Sequence, residues 1–143
     1  MAITGNEVVE TLSPDLAGHP AAVKTPYTVA QLLTAGLPAE SCADALTAAG
    51  STRADALALT AQVNNVTTAA ASTGVVLPAA SVGQIITVFN NGANPIKVYG
   101  AGSATIDGTA GSTGVTLTNA LRCAYICVAA GKWLSAKLGA TST

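Results

Sequence analysis

The segment "GQIITVFNNGANPIKVYG", residues 83–100, places two apolar, β-branched runs on either side of "NNGAN". β-Branched and aromatic residues favour strands, whereas Asn, Gly and Pro favour turns. The segment therefore predicts two strands, at 84–90 and 95–99, and its "NNG" at 90–92 is a hairpin signal. The same pattern continues towards the C-terminus.

Short apolar runs and turn residues alternate throughout residues 74–139. Five more strands are expected there, separated by turn segments such as "GAGS", "DGTAGSTG", "TNA" and "AAG": 75–77, 104–106, 115–117, 121–129 and 132–138. Seven short strands at a spacing of about ten residues are typical of a small antiparallel β-sandwich or barrel. "AAGKW" is expected to form the tightest hairpin.

The strand "LRCAYICVAA", residues 121–130, is apolar on both faces. Its two faces carry Cys123, Tyr125 and Cys127 on one side and Ala124, Ile126 and Val128 on the other. An antiparallel strand of this kind is usually covered on both faces. One cover is expected to be the opposite sheet and the other a neighbouring subunit, and "GQIITVF" requires the same two covers.

The first fifty residues combine turn formers with two helix patterns. Extended pieces at 7–12 and 21–28 flank a segment rich in Pro and Gly, which predicts a hairpin or an extended arm. "TVAQLLTAG" (28–36) and "PAESCADALTAAG" (38–50) each end at Gly, which predicts two short helices. Helices of this length need a surface on which to pack.

The next segment carries a seam of four apolar residues, Ala56, Leu59, Val63 and Val66. Their 3, 4, 3 spacing matches two heptads, so a short helix packed around a symmetry axis is predicted, with these residues as the oligomer interface. The β-branched residues from position 63 onwards also suit a strand. Three zones are thus expected: an N-terminal arm with short helices (1–50), a helical connector (51–73) and a β-sandwich knob (74–143).

The chain carries little charge. Charged residues make up 9% of its 143 residues, against about 25% in an ordinary soluble domain. The four bases after residue 56 are scattered, and no aromatic residues are interleaved with them, so nucleic acid is not an expected partner. No run approaches the ~18 apolar residues of a membrane span, and no basic, apolar leader is present, so neither membrane insertion nor secretion is expected.

Motifs that carry chemistry are scarce. The three cysteines lack metal-binding spacing and are interpreted as buried free thiols, and His19 is the only imidazole. Asp107 in "IDGT" is interpreted as a turn residue and not as an acid or base. No G-x-S-x-G elbow and no phosphate loop occurs. The chain is therefore not expected to be an enzyme, and no catalytic residue, metal ligand or cofactor is predicted.

Two stretches resemble known proteins. "MAITGNEVVETLSPDLAGHPAAVKTPYTVAQLL" (1–33) is similar to the opening of many tailed-phage virion proteins, with a G-N-E-x-V start, a G-x-P turn and a T-x-x-Q-[LI] helix start. "GVVLPAASVGQIITVFNNGANPIKVYGAGSATIDG" (74–108) and "CVAAGKWLSA" (127–136) resemble a small β domain of phage head-fibre, decoration and tail-fibre proteins. The resemblance implies a homotrimeric, non-enzymatic component of the particle, without catalytic residues.

The expected function is that of a head-fibre or capsid decoration protein, made in the bacterial cytoplasm and located in the virion. Its partners would be further copies of itself and the major capsid protein or other virion proteins. The acidic N-terminal region is expected to anchor it to the particle while the β domain projects outward. The residues expected to take part in anchoring are Glu7, Val8, Val9, Leu12 and Tyr27.

The alternative function is adhesion, as a tail-fibre or tail-associated module that binds host surface glycans. Such a module needs a groove and exposed aromatic residues, and the chain has one Trp, three Tyr and one Phe. Trp133, with Tyr99 and Tyr125, is the candidate sugar platform, but a single Trp in a hairpin more often fills a small β core. A hydrolase ranks well below both functions, because Asp107 has no second carboxylate near it in the β region.

Overall fold

The computed structural model describes residues 41–140 and two earlier dipeptides, β1 (Val8–Val9) and β2 (Tyr27–Thr28). The chain divides into two units, Met1–Ala39 and Glu40–Thr143. In the first unit β1 pairs antiparallel with β2, with Val9 opposite Tyr27, as expected for the two extended pieces of the arm. The helix predicted at 28–36 lies outside the described residues, apart from Thr28.

The second unit consists of strands joined by turns. Its strands are β3 (Cys42–Thr47), β4 (Leu57–Ala58), β5 (Val63–Thr68), β6 (Gly74–Val76), β7 (Ile85–Asn90), β8 (Ile96–Tyr99), β9 (Thr105–Ile106), β10 (Thr109–Ala110), β11 (Val115–Leu117), β12 (Leu121–Ala129) and β13 (Lys132–Ala140). Between residues 41 and 140 there is no helix. This stretch accordingly has no helix able to cross a membrane.

The strands wind into a β-solenoid of about four turns. A large sheet has the order β10-β9-β13-β12-β7-β5-β3, and a small sheet has the order β11-β8-β6-β4. The chain passes from one sheet to the other, so that β3, β5 and β7 stack in parallel in the large sheet and β4, β6 and β8 do so in the small sheet. In the large sheet Cys42 lies opposite Val63 and Val63 opposite Thr87, which gives repeats of 21 (63 − 42) and 24 (87 − 63) residues.

The direction of the chain reverses after the third turn. β9 and β10 form a hairpin whose two loop residues, Asp107 and Gly108, have φ of 50° and 80°, the left-handed values that suit a two-residue loop. β11 then returns antiparallel to β8, and β12 returns antiparallel to β7. Finally β13 folds back on β12 through "AAGKW", where Ala129 lies opposite Lys132, which confirms the predicted hairpin. It is not the single tightest one, because its two-residue loop is as short as that of β9–β10.

The predicted antiparallel sandwich or barrel is wrong, although the strands of residues 74–139 lie close to their expected positions. The error begins at "NNGAN", because β7 and β8 belong to different sheets and the segment forms a corner, not a hairpin. The fully buried Asn90 closes this corner. Its Nδ2 donates to the carbonyl oxygens of Asn94 and Leu117, both at 3.0 Å, and its Oδ1 accepts from the Gly92 N–H at 3.1 Å.

The helices predicted at 38–50 and 51–73 are also wrong. β3 lies in the first of these segments, and β4 and β5 lie in the second. Ala and Leu favour helix by only a few tenths of a kcal/mol per residue, and pairing with strands one turn away outweighs that preference. Two residues of the heptad pattern, Leu59 and Val66, do face the core, but they lie on separate segments and not on one helix.

The core lies between the two sheets and consists of rows of apolar side chains stacked from strand to strand. In the small sheet one row contains Leu57, Val75, Val98 and Val115, which occupy the same register position on four neighbouring strands. In the large sheet Trp133 of β13 is fully buried, so its interpretation as a core residue is confirmed.

The cysteines are free, but they do not share one environment. Cys123 and Cys127 are buried on the inner face of β12, as expected from their spacing. Burial raises the pKa of the Cys123 thiol. Cys42 is exposed on β3, so the interpretation of all three as buried thiols is wrong for this one.

Candidate functional site

The outer face of the large sheet carries the candidate site. Successive side chains of a strand point to opposite faces, so every second residue of this sheet faces away from the core. On β7 the inner residues Ile86 and Val88 are buried, whereas Ile85 is exposed, and Thr87 and Phe89 are half-buried. The outer residues of neighbouring strands form rows across the sheet.

One end of the outer face is apolar. Ile85 of β7 lies opposite Ile126 of β12, which lies opposite Leu134 of β13. Ile85 and Leu134 are 43% and 41% exposed, and the neighbouring Val82 and Val128 are 69% and 44% exposed. These five side chains are called the apolar patch below.

The middle of the outer face is built from small side chains. Thr87, Ala124 and Ala136 lie opposite one another on β7, β12 and β13. None of them rises far above the sheet, so this row forms a flat surface beside the apolar patch. Of the two faces of β12 that were expected to be covered, the one with Cys123, Tyr125 and Cys127 is buried in the core, whereas Ile126 and Val128 on the other face are accessible in the single chain.

The other end of the outer face is polar. Asn65 of β5 lies opposite Phe89 of β7, which lies opposite Arg122 of β12. With Asp44 of β3 and Asn91, which directly follows β7, these residues line an open groove of about 490 Å³. It is called the polar groove below.

A ladder of hydrogen bonds fixes three of these side chains. Asn91 Nδ2 donates to Asn65 Oδ1, and Asn65 Nδ2 donates to Asp44 Oδ1, both at 2.7 Å. Asp44 Oδ1 also accepts the Ala45 N–H at 2.7 Å. The bond from Asn65 and then the bond from Ala45 lower the pKa of the Asp44 carboxyl, so this group is ionised at neutral pH.

The guanidinium group of Arg122 lies over the Phe89 ring, with its central carbon 5.5 Å from the ring centroid. At this distance the cation is attracted to the face of the ring. The contact holds the planar guanidinium against the sheet at the end of the groove opposite to Asp44. The polar groove thus has a carboxylate at one end, a guanidinium at the other, and amides between them.

Strand β3 forms one edge of the large sheet and is irregular. Its pairing with β5 shifts register on both sides of Leu46, and Ala45 has a φ of 55°. Bulges of this kind interrupt the row of backbone groups that an edge strand offers to another chain. The irregular edge therefore disfavours strand-to-strand association here.

The described residues offer no evident metal-binding cluster. Among residues 41–140 no group of three His, Cys, Asp or Glu side chains is placed to hold a metal ion. The Asp107 carboxylate accepts the Ser135 N–H at 2.8 Å and the Ser135 hydroxyl at 2.6 Å, which ties the β9–β10 hairpin to β13. The Asp107 carboxylate therefore stabilises the hairpin through Ser135, which agrees with its interpretation as a turn residue.

The sequence-predicted interface residues are dispersed. Leu59 and Val66 lie in the core, Ala56 is half-buried in a turn before β4, and Val63 lines the polar groove. The helical seam that was expected to unite them does not form.

The predicted anchoring residues belong to the first unit. Val8 and Val9 form β1, and Tyr27 begins β2. Glu7 and Leu12 lie outside the described residues. Their part in attachment stays a prediction.

The polar groove is not predicted by the sequence pattern. Asp44 and Asn65 lie in segments predicted as helices, and Asn91 lies in a predicted hairpin turn. One signal was present: Asp44 and Asn65 are 21 residues apart (65 − 44), and Asn65 and Asn91 are 26 apart (91 − 65). These separations are close to one solenoid turn, which brings the three residues side by side.

The fold and this face define a class of protein: a charge-poor β-solenoid with an apolar patch and a polar groove on one sheet. Comparison of the chain with protein-family models, with curated proteins and with solved structures gives no match in any of the three.

Proposed function

We propose that the protein is a non-enzymatic structural component of a tailed-phage particle, a head-fibre or capsid decoration protein. In this proposal it assembles as a homotrimer, attaches to the major capsid protein or another virion protein through its N-terminal region, and projects the solenoid from the particle. The observation that carries the proposal is the apolar patch. The low charge of the chain and the resemblance of residues 1–33, 74–108 and 127–136 to virion proteins support it.

The apolar patch favours burial against another chain. Val82, Ile85, Val128 and Leu134 each expose more than two fifths of their surface. Burying a side chain of this size completely stabilises an assembly by roughly 1.5–3 kcal/mol, so even partial burial of the patch contributes several kcal/mol. Exposed apolar side chains that cluster in this way are typical of an interaction surface.

Association through a face is favoured over association through an edge. Besides the irregular β3, the sheet edges are β10, β4 and β11, which have only two, two and three residues. Short edge strands offer few backbone groups to a second chain. A closed ring of three copies would bury all three patches around one axis and would stop growth at the trimer.

Leu134→Lys tests the assembly. The change places a charge within the patch, and because Leu134 is 41% exposed in the single chain, folding should be little affected. We expect wild-type protein to have three times the chain mass by light scattering, and the variant to have the mass of one chain. The matched control is Thr116→Lys, at an exposed position on the outer side of the small sheet, which should remain trimeric. A monomeric wild type would overturn the trimer.

Deletion of residues 1–35 tests the attachment. The second unit contains both sheets of the solenoid and their core, so the shortened chain should keep its β circular dichroism and its oligomeric mass. We expect it to lose co-sedimentation with undecorated capsids, which the full chain should retain. Binding by the shortened chain would contradict the assignment of the N-terminal region as the anchor.

A tail-fibre or tail-associated adhesion module is the second candidate, and the polar groove favours it. Tyr99, Tyr125 and Trp133 are buried, so they do not form the aromatic platform considered from the sequence. Phe89, which is half-buried, is the aromatic side chain that lines the groove. Adhesion would therefore depend on the groove and not on stacking against Trp133.

A further inference from the structure

We propose that the polar groove is a binding site for a neutral saccharide. Its size is suitable, because small-molecule sites usually have volumes of about 300–1,000 Å³ and this groove has about 490 Å³. Its polar row crosses four adjacent strands, β3, β5, β7 and β12. Three inter-strand steps of about 4.8 Å make this row roughly 14 Å long, an extended shape that suits a short chain of sugar rings.

The groove is organised before any ligand arrives. The two 2.7 Å bonds of the ladder fix which end of each amide is oxygen and which is nitrogen, because Asn65 accepts from Asn91 and donates to Asp44. Asp44, Asn65 and Arg122 stand on strands, which hold side chains more rigidly than loops do. A ligand therefore meets a fixed set of polar groups and loses little free energy in ordering them.

The ladder leaves hydrogen-bonding capacity on the open side of the groove. Within residues 41–140 no group bonds to Asp44 Oδ2, to Asn91 Oδ1 or to the Arg122 guanidinium. A carboxylate accepts two hydrogen bonds side by side, and a guanidinium donates two. A side-chain amide accepts through its oxygen and donates through its nitrogen. Neighbouring hydroxyls of a sugar both donate and accept, so they match this set.

The charge of the groove favours a neutral ligand. Asp44 and Arg122 contribute formal charges of −1 and +1, which cancel across the row. A phosphate or polyanion would face the Asp44 carboxylate, and a cationic peptide would face Arg122. Phe89 and Val63 add apolar surface against which the C–H groups of a sugar ring can pack.

The groove stays open if the apolar patch is occupied. Phe89 lies four residues along β7 from Ile85, a separation of about 13 Å at 3.3 Å per residue. Saccharide binding and self-association therefore use opposite ends of the outer face. The saccharide site rests on the second candidate function, adhesion through the groove, and names its ligand class. It is independent of the proposed structural role, and each can fail without the other.

The experiment begins with full-length protein on an array of neutral and acidic glycans, followed by calorimetric titration of the best neutral ligand. Asp44→Asn keeps the oxygen that Asn65 bonds but replaces the free acceptor by a donor. Arg122→Lys keeps the charge but loses the planar pair of donors. We expect each variant to bind at least tenfold more weakly, about 1.4 kcal/mol, with an unchanged melting temperature. The control is Asp107→Asn, the same change in an exposed turn outside the groove, at a φ that Asn tolerates.

The outcomes separate the two proposals. Absence of binding to every neutral glycan, binding to acidic glycans alone, or wild-type affinity in both groove variants would overturn the saccharide site. Loss of affinity in the two groove variants but not in Asp107→Asn would support it. A glycan-binding protein that is monomeric and does not attach to capsids would overturn the structural role and leave the saccharide site standing.

Discussion

Trp133→Ala is expected to lower the free energy of unfolding by about 3–5 kcal/mol, the usual cost of truncating a buried aromatic side chain. Trp133 is 0% exposed. It lies opposite Cys127 of β12 and opposite Ile106 of β9, so its indole packs where three strands of the large sheet meet.

Trp133→Phe should cost much less, about 1 kcal/mol. The indole Nε1–H is buried without a hydrogen-bond partner among the described residues. Phe keeps a ring in the core and removes this unsatisfied donor, so part of the lost packing is offset. The two variants together separate the packing of the ring from the burial of its N–H group.

Urea unfolding followed by far-ultraviolet circular dichroism measures both variants, at one protein concentration because the stability of an oligomer depends on concentration. Lys132→Ala, at the exposed neighbouring position on β13, is the control and should lie within about 0.5 kcal/mol of wild type. A loss for Trp133→Ala no larger than that of the control would contradict the position of the indole in the core. Equal losses for the Ala and Phe variants would contradict the argument about the N–H group.

The sequence predicted the strands of the C-terminal half better than it predicted their arrangement. β11 and β12 have the predicted bounds, because β-branched and aromatic runs between turn residues identify extended segments locally. Whether two successive strands pair with each other is decided by contacts across a whole solenoid turn. "NNGAN" contains hairpin residues, yet the buried side chain of Asn90 makes it a corner between two sheets.

The N-terminal side of the solenoid shows how helix signals can occur without a helix. Gly50 stands where a helix would end, and it has the positive φ, 63°, that such a position requires. It introduces a turn in which the Asp55 carboxylate accepts the N–H groups of Ser51 and Thr52, at 3.2 and 2.7 Å. The same residues cap helices and turns, so local sequence could not distinguish the two.

The apolar face was foreseeable and the polar groove was not. Strands that are apolar on both sides indicate a second cover, and in β12 the outer residues of this kind include Ile126 and Val128. The groove depends on side chains that lie one solenoid turn apart. Their proximity follows only from the winding of the chain, which the strand pattern alone did not disclose.

Asn90→Ala is the second change with a large expected effect, a loss of about 3–5 kcal/mol in the free energy of unfolding. The amide of Asn90 is fully buried and serves three backbone groups, the Gly92 N–H and the carbonyls of Asn94 and Leu117. Each buried group left without a partner costs about 1–3 kcal/mol. The corner between β7 and β8 also loses the side chain that closes it.

Asn64→Ala provides the matched comparison, because Asn64 is equally buried and the same atoms are removed. Asn64 Nδ2 makes one short bond, to the Ala61 carbonyl at 2.8 Å, and a long one to the Thr87 carbonyl at 3.4 Å, while its Oδ1 has no partner among the described residues. Its removal thus deletes an unsatisfied oxygen together with one good bond, so we expect a loss of only about 1 kcal/mol.

Urea unfolding at one protein concentration measures both variants. Since the same atoms are removed from two fully buried positions, a difference of 2 kcal/mol or more would reflect the hydrogen bonds of the corner. Equal losses would contradict a special contribution of these bonds.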